Sequence, residues 1–286
     1  MQEWGRLMRL DKPVGIWLLL WPELWALWIA GDGHPEPRIL VIFLLGTVVM
    51  RSAGCVINDF ADRNVDPYVK RTKDRPLAAR RIGPWEALAL FVVLAAIALC
   101  LALQLDPKTL RLALVGAVLT VSYPFLKRFF PLPQFYLGLA FGWAVPMAYM
   151  AAAGQLQRVT WILFVAAVLW ACIYDTLYAM VDRDDDAKIG VKSSAILFAD
   201  MDKVIVAIMQ AMMLFALILA GRAMMFTGNW YLTGVVAAAI FFLYQQWLIR
   251  DREPSRCFRA FQNNQYVGLS IFIGVLLQYI YAPPGS

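Results

Sequence analysis

The chain is a succession of apolar runs, each about as long as a bilayer is thick. A membrane-crossing helix needs about 20 mostly apolar residues. Nine segments supply that, at about 14–30, 38–57, 85–104, 109–126, 133–153, 159–181, 203–222, 229–249 and 265–281. Proline and glycine fall between them: Pro35 and Pro37, then Pro107, then Pro131 and Pro133, then Gly154. Of the 286 residues 61% are hydrophobic and 16% charged, against about 45–50% apolar and about 25% charged in a soluble domain. The expectation is an all-α polytopic membrane protein. Its nine helices form one domain over residues 1–286, since no linker or low-complexity run divides it.

Charge gives the orientation. With the N-terminus in the cytoplasm, 20 of the 26 Lys and Arg residues fall on the cytoplasmic side and five on the outer side, with Arg51 inside the second helix. This is the pattern of the positive-inside rule, and it puts the C-terminus outside. The net charge of +6 is then mostly topological. No basic cluster interleaves with base-stacking aromatics, so nucleic acid is not an expected partner. The first apolar run has no cleavage site after it, and the segment before it is not a transit peptide. A bacterial inner membrane is the expected location, with lipid as the surroundings.

Two acidic clusters break the apolar pattern. The first runs from Asn58 and Asp59 through Asp62 and Arg63 to Asp66; the second from Asp175 through Tyr178 and Asp182 to Asp184, Asp185 and Asp186. Each follows an apolar run, on the expected cytoplasmic side. Charge at membrane depth is costly and marks function. At about 100° per residue, Asn58, Asp62 and Asp66 share one helix face, and Arg51 falls on it too. Asp175, Tyr178, Asp182 and Asp186 share another; Asp59, Asp184 and Asp185 point elsewhere. Carboxylates four apart on a helix can share a hard cation, and two such helices across a cavity can hold Mg2+ ions and a diphosphate leaving group between them. Arg63, Lys127, Arg128 and Lys188 are nearby phosphate ligands. The plain alternative is a solvated acidic helix end, with Arg51 a structural ion-pair partner and Tyr178 an interface aromatic.

Other features say less. The four cysteines lack metal or disulfide spacing, and the single histidine, His34, lies in a short loop. The turn Arg71-Thr72-Lys73-Asp74-Arg75-Pro76 either covers a phosphate site or is a positive-inside loop. Trp4, Trp17, Trp21, Trp25 and Trp28 read as interface-belt and packing residues.

The sequence resembles the UbiA-type intramembrane aromatic prenyltransferases over nearly its whole length, most closely the branch that prenylates 4-hydroxybenzoate for ubiquinone. The residues that carry the resemblance begin with Arg9-Leu10-Asp11-Lys12-Pro13-Val14-Gly15, Leu-Leu-Leu-Trp-Pro at 18–22, and Arg51-Ser-Ala-Gly-Cys-Val-Ile-Asn58-Asp59 with Asp62-Arg63 and Asp66. They continue through Arg71-Thr72, Arg75-Pro76-Leu77, Tyr123-Pro124-Phe125-Leu126-Lys127-Arg128, Phe141-Gly142-Trp143, Tyr174-Asp175-Thr176 to Asp186, and Lys188 to Ala195. Ser194 stands where the family commonly has Thr, and Ala199 where it commonly has Gly. The resemblance implies nine helices around a central cavity, capped by the loops after helices 2 and 6. It implies that Mg2+ is held by Asn58, Asp62, Asp66, Asp182 and Asp186, and that Arg63, Lys127 and Arg128 grip the diphosphate.

Together these lines give an expected reaction. A polyprenyl diphosphate ionises at its allylic C–O bond, and the cation alkylates C3 of 4-hydroxybenzoate. Asp175, nearest the apolar end of its face, is the expected base. Arg51, deeper on the first face, is expected to hold the acceptor carboxylate, with Tyr178 beside the ring. A cation or metabolite transporter, a non-catalytic lipid-diphosphate-binding protein and an enzyme for another aromatic acceptor are the rival readings. Chain length and oligomeric state are not legible.

Overall fold

The computed structural model describes residues 2–69, 71–126, 129–130, 132–190 and 192–283. Among these every regular element is helical. In chain order they are α1 (Gln2–Leu7), α2 (Val14–Ala30), α3 (Pro37–Asp62), α4 (Pro84–Ala102), α5 (Pro107–Leu126), α6 (Pro133–Gly142), α7 (Ala144–Ala153), α8 (Arg158–Ile189), α9 (Ser194–Leu197), α10 (Asp202–Ala223), α11 (Trp230–Ile249) and α12 (Pro254–Tyr281). Short 3-10 turns lie at Asp66–Tyr68 and Ala199–Met201.

Among the described residues seven helices are long and apolar enough to cross a membrane, α6 and α7 counting as one. Helix α2 is apolar but has 17 residues. Helix α12 has 28, with a polar first half. Proline at the first position starts α3, α4, α5, α6 and α12, where its missing N–H has no partner to lose. Left-handed glycines end α7 and α8, Gly154 at φ +70° and Gly190 at φ +71°.

Three boundaries and one break differ from the apolar runs. Helix α3 continues to Asp62 and α8 to Ile189, because the acidic residues keep the helical register after hydrophobicity stops. The loop expected over 182–202 is consequently mostly helix. Helix α12 begins at Pro254, eleven residues before its apolar run. The run 133–153 breaks at Trp143, since Pro146 has no N–H to bond one turn back.

Helix α8 is central, flanked by α6, α7, α10 and α12, and 67% of its apolar window is buried. Helices α4 and α5 are peripheral, at 11% each. Trp25 and Trp170 fill the core with rings 5.4 Å apart, Trp25 Nε1 donating to the Gly268 carbonyl and Trp170 Nε1 to Asn264 Oδ1. Trp25 is thus a packing residue. Helices α11 and α12 approach where Gly234 faces Gly274: a Cβ on Gly234 would lie 2.6 Å from the Ser270 carbonyl oxygen.

Candidate active site

Helices α3 and α8 bring both acidic faces to one cavity of about 1520 Å³. Arg51, Asn58, Asp62, Asp66, Asp175, Tyr178, Asp182 and Asp186 all line it. Seven of these eight converge from helix faces far apart in the chain; Asp66, expected on the first face, does not, since α3 ends at Asp62 and Asp66 begins the 3-10 turn Asp66–Tyr68, from which it still reaches the cavity. Asp184 and Asp185 are not among the lining residues. Asp59 is, although spacing had turned it away.

Three arginines hold the acidic rim. Asp59, 1% exposed, accepts two hydrogen bonds from Arg9 Nη2 at 2.9 Å and one from Arg75 Nη1 at 3.1 Å. Arg75 also donates to Asp66 Oδ2 at 2.9 Å, so one guanidinium bridges the two carboxylates. Thr72 Oγ1 donates to the Asp66 carbonyl at 2.9 Å and closes the turn between them. Arg71 reaches α8: its Nε is 2.9 and 3.0 Å from the Asp182 oxygens and its Nη2 2.6 Å from Oδ2. Its Nη1 bonds the Tyr178 hydroxyl, and the guanidinium lies 4.5 Å from the centre of that ring. Asn58 Nδ2 donates to Asp62 Oδ2 at 3.3 Å.

These pairings set the charge states. Burial pushes the Asp66 carboxyl above its usual range; Arg75 pulls it down, and Asp62 and Asp59 push it up again. Burial lowers Arg71, but Tyr178 and Asp182 outweigh it and the net shift is upward. Burial lowers Arg75 too, but Asp59 and Asp66 outweigh it, so both arginines remain cations among the rim carboxylates.

The expected phosphate ligands divide. Arg63 turns back on its own helix, donating to the Phe60 carbonyl at 2.7 Å with its guanidinium 4.5 Å from the Phe60 ring centre. Lys188 is 73% exposed and pairs with Asp185 at 3.5 Å. Neither is brought to the cavity, because each finds a partner within one turn. Lys127 and Arg128 lie outside the described residues. Arg9, Arg71 and Arg75 stand on the cavity wall instead. Arg71 and Arg75 belong to the basic turn; nothing in its spacing shows which carboxylates it meets.

Two turns back along α3 from Asn58, Arg51 lines the cavity with its Nε buried and without a hydrogen-bond partner among the described residues. Gly15 leaves room for it: a Cβ there would fall 2.5 Å from Arg51 Nη2. One turn from Arg51 on α3, Thr47 Oγ1 donates to Glu23, a lining carboxyl 6% exposed. Glu23 was legible as a lone carboxylate inside the first apolar run and was missed.

The oxygen donors suit a hard cation such as Mg2+ in kind. As they stand, no three acidic side chains among the described residues are gathered closely enough to hold one. Guanidinium groups occupy Asp59, Asp66 and Asp182.

The UbiA prenyltransferase family model matches residues 19–276. A 4-hydroxybenzoate octaprenyltransferase of Alkalilimnicola ehrlichii is 54% identical over 96% of this chain and 94% of its own. The apo structure of a UbiA homolog from Aeropyrum pernix K1 superposes with a TM-score of 0.80 at 25% identity, over 92% of this chain and 97% of the other. A UbiA homolog from Archaeoglobus fulgidus, bound to GPP and Mg2+, has the same fold, with a TM-score of 0.72 at 18% identity over 96% and 99%. On this evidence the chain belongs to the UbiA prenyltransferase family.

Proposed function

We propose that the chain transfers a polyprenyl group from polyprenyl diphosphate to C3 of 4-hydroxybenzoate, releasing diphosphate, in ubiquinone biosynthesis. The observation that carries this is one cavity lined by three kinds of group: carboxylates and arginines that suit a diphosphate, the Arg51 guanidinium about two turns back along α3 from Asn58 that suits a carboxylate, and many apolar side chains that suit a hydrocarbon tail. In the membrane, the reading is nine spans as one domain in a bacterial inner membrane, the acidic end cytoplasmic.

Asn58, Asp62, Asp66, Asp182 and Asp186 would hold Mg2+, which when bound neutralises the departing diphosphate. For this, Arg71 and Arg75 release Asp182 and Asp66 and turn to the phosphate oxygens, which accept the two-nitrogen grip Arg71 has on Asp182 and the single Nη1 bond Arg75 gives Asp66. Arg51 seats the acceptor carboxylate, so the ring points its phenol end toward the rim, where the allylic carbon leaves the diphosphate. The C–O bond breaks, the allyl cation is attacked by the ring carbon beside the phenol, and Asp175 takes the displaced ring proton. Tyr178, held between Arg71 and Phe261 (ring centroids 4.8 Å), flanks the cation. The turn from Arg71 to Pro76, on the cavity wall, would exclude water from the cation.

The test is turnover. Detergent-purified protein with geranyl diphosphate, 4-hydroxybenzoate and Mg2+ should give the 3-prenylated acid by mass spectrometry. EDTA, or the double variant Asp62→Ala/Asp182→Ala, should abolish it. No product across several chain lengths, with diphosphate binding confirmed, sinks the assignment.

A further inference from the structure

Glu23 is a buried carboxyl in an apolar wall, and the reaction above does not use it. Its partner is the Thr47 hydroxyl, itself 2.8 Å from the Phe43 carbonyl. It forms no ion pair among the described residues. Burying a carboxyl at membrane depth costs more than one interhelical hydrogen bond contributes, so the Thr47 contact alone does not account for it.

Its position relative to Arg51 supplies a reason. Thr47 and Arg51 are one turn apart on α3, and Arg51 lies beside Gly15 on the neighbouring α2. Glu23 is eight residues beyond Gly15, about 12 Å of helix rise. A helical side chain leans over the turn N-terminal to its own Cα, a pitch of about 5.4 Å, which brings the carboxyl back by most of a turn. Guanidinium and carboxyl therefore face the same stretch of cavity roughly 8 Å apart. The lining around them is apolar, from Leu18, Leu19, Phe43 and Met50. A carboxylate hydrogen-bonded to Arg51 fills a gap of that size, with Glu23 directly beneath it.

We infer that Glu23 is the floor of the acceptor subsite and limits the length of the acid the enzyme accepts. The inference rests on the reading that Arg51 holds the acceptor carboxylate. A benzoate arm ends above the floor. An arm two carbons longer, as in 4-hydroxycinnamate, drives its carboxylate against the Glu23 carboxyl while the ring stays at the reacting carbon.

The experiment compares kcat/KM for 4-hydroxybenzoate and 4-hydroxycinnamate in the full-length wild type, Glu23→Ala and Glu23→Gln, with geranyl diphosphate as donor. The ratio is internal to each preparation, so partial loss of folded protein cancels. The glutamine variant also keeps the size and the Thr47 bond. The preference for the shorter acid should fall at least tenfold in Glu23→Ala and several-fold in Glu23→Gln. A ratio unchanged within twofold in both variants overturns the inference. So does loss of turnover with both acids in a variant that remains monodisperse, which would place Glu23 in the chemistry. A wild type inactive on 4-hydroxybenzoate overturns the acceptor reading itself. A normal wild type with unchanged variants overturns only the floor.

Discussion

Replacing Arg51 by methionine should have opposite effects on binding and on stability. Arg51 is half-buried, and its Nε is buried without a hydrogen-bond partner among the described residues. An orphaned buried donor costs about 1–3 kcal/mol, so a methionine of similar length removes that penalty and loses some packing against Gly15. The expected stability change lies between none and a gain of about 1 kcal/mol. Binding should move the other way. Truncating one side of a buried charged pair costs about 2–5 kcal/mol; taking 2.5 kcal/mol for a site open to a large cavity gives roughly 60-fold. The KM for 4-hydroxybenzoate should rise by about that factor, while the KM for the prenyl diphosphate, held one or two turns away at the rim, stays within about threefold. The assay is steady-state kinetics with each substrate varied, beside a thermal melt of the same preparation. An acceptor KM within threefold of wild type, or a melt several degrees lower, would show that Arg51 is a structural ion-pair partner.

Other expected outcomes follow from single contacts. Asp59→Asn leaves Arg9 and Arg75 facing a neutral amide in a nearly closed site; breaking a buried pair from one side costs about 3–5 kcal/mol, so the melting temperature should fall sharply even without substrate. Gly15→Ala puts a methyl 2.5 Å from Arg51 Nη2; the guanidinium is a flexible end that gives way, so the acceptor KM should rise several-fold while the melt changes little. Lys188→Ala should leave the prenyl diphosphate KM within about twofold, since that ammonium is 73% exposed and away from the cavity; a tenfold rise would restore it as a phosphate ligand. Ala199 stands at φ +46° in the left-handed region, where a Cβ costs about 1–2 kcal/mol. Ala199→Gly should stabilise the protein by about 1 kcal/mol after the extra chain entropy of glycine is subtracted, read as a higher melting temperature.

What the sequence showed and what it hid divide along one physical line. Periodicity reports which residues share a face of one helix. It therefore placed Asn58 and Asp62 together on α3, and Asp175, Tyr178, Asp182 and Asp186 together on α8, and both sets line the cavity; Asp66 lines it too, but from the 3-10 turn past the end of α3, where the period no longer holds. Read as helix, the acidic spacing also carries α3 to Asp62 and α8 to Ile189, past their apolar runs. Pairings between elements leave no periodic trace. Arg9 meets Asp59 across 50 positions and Arg71 meets Asp182 across 111. Nothing local distinguishes those arginines from Arg63, which spends its charge on Phe60. The faces of a helix do not forbid a residue off the main arc from being buried: Asp59 lies beyond it and is among the most enclosed carboxylates in the molecule. Glu23 was hidden differently, as one carboxylate within a run read for its hydrophobicity.

The central claim is that diphosphate, acceptor acid and tail occupy one cavity, with Arg71 exchanging Asp182 for phosphate. The most direct measurement is a structure of the protein with Mn2+ in place of Mg2+, an unreactive thiolodiphosphate analogue and 4-hydroxybenzoate. The account predicts the diphosphate and metal density between Asn58, Asp62 and Asp182, Arg71 moved off Asp182 onto phosphate oxygens, and the acid carboxylate on Arg51. Diphosphate bound away from both acidic faces, or the acid bound with Arg51 unengaged, would contradict it.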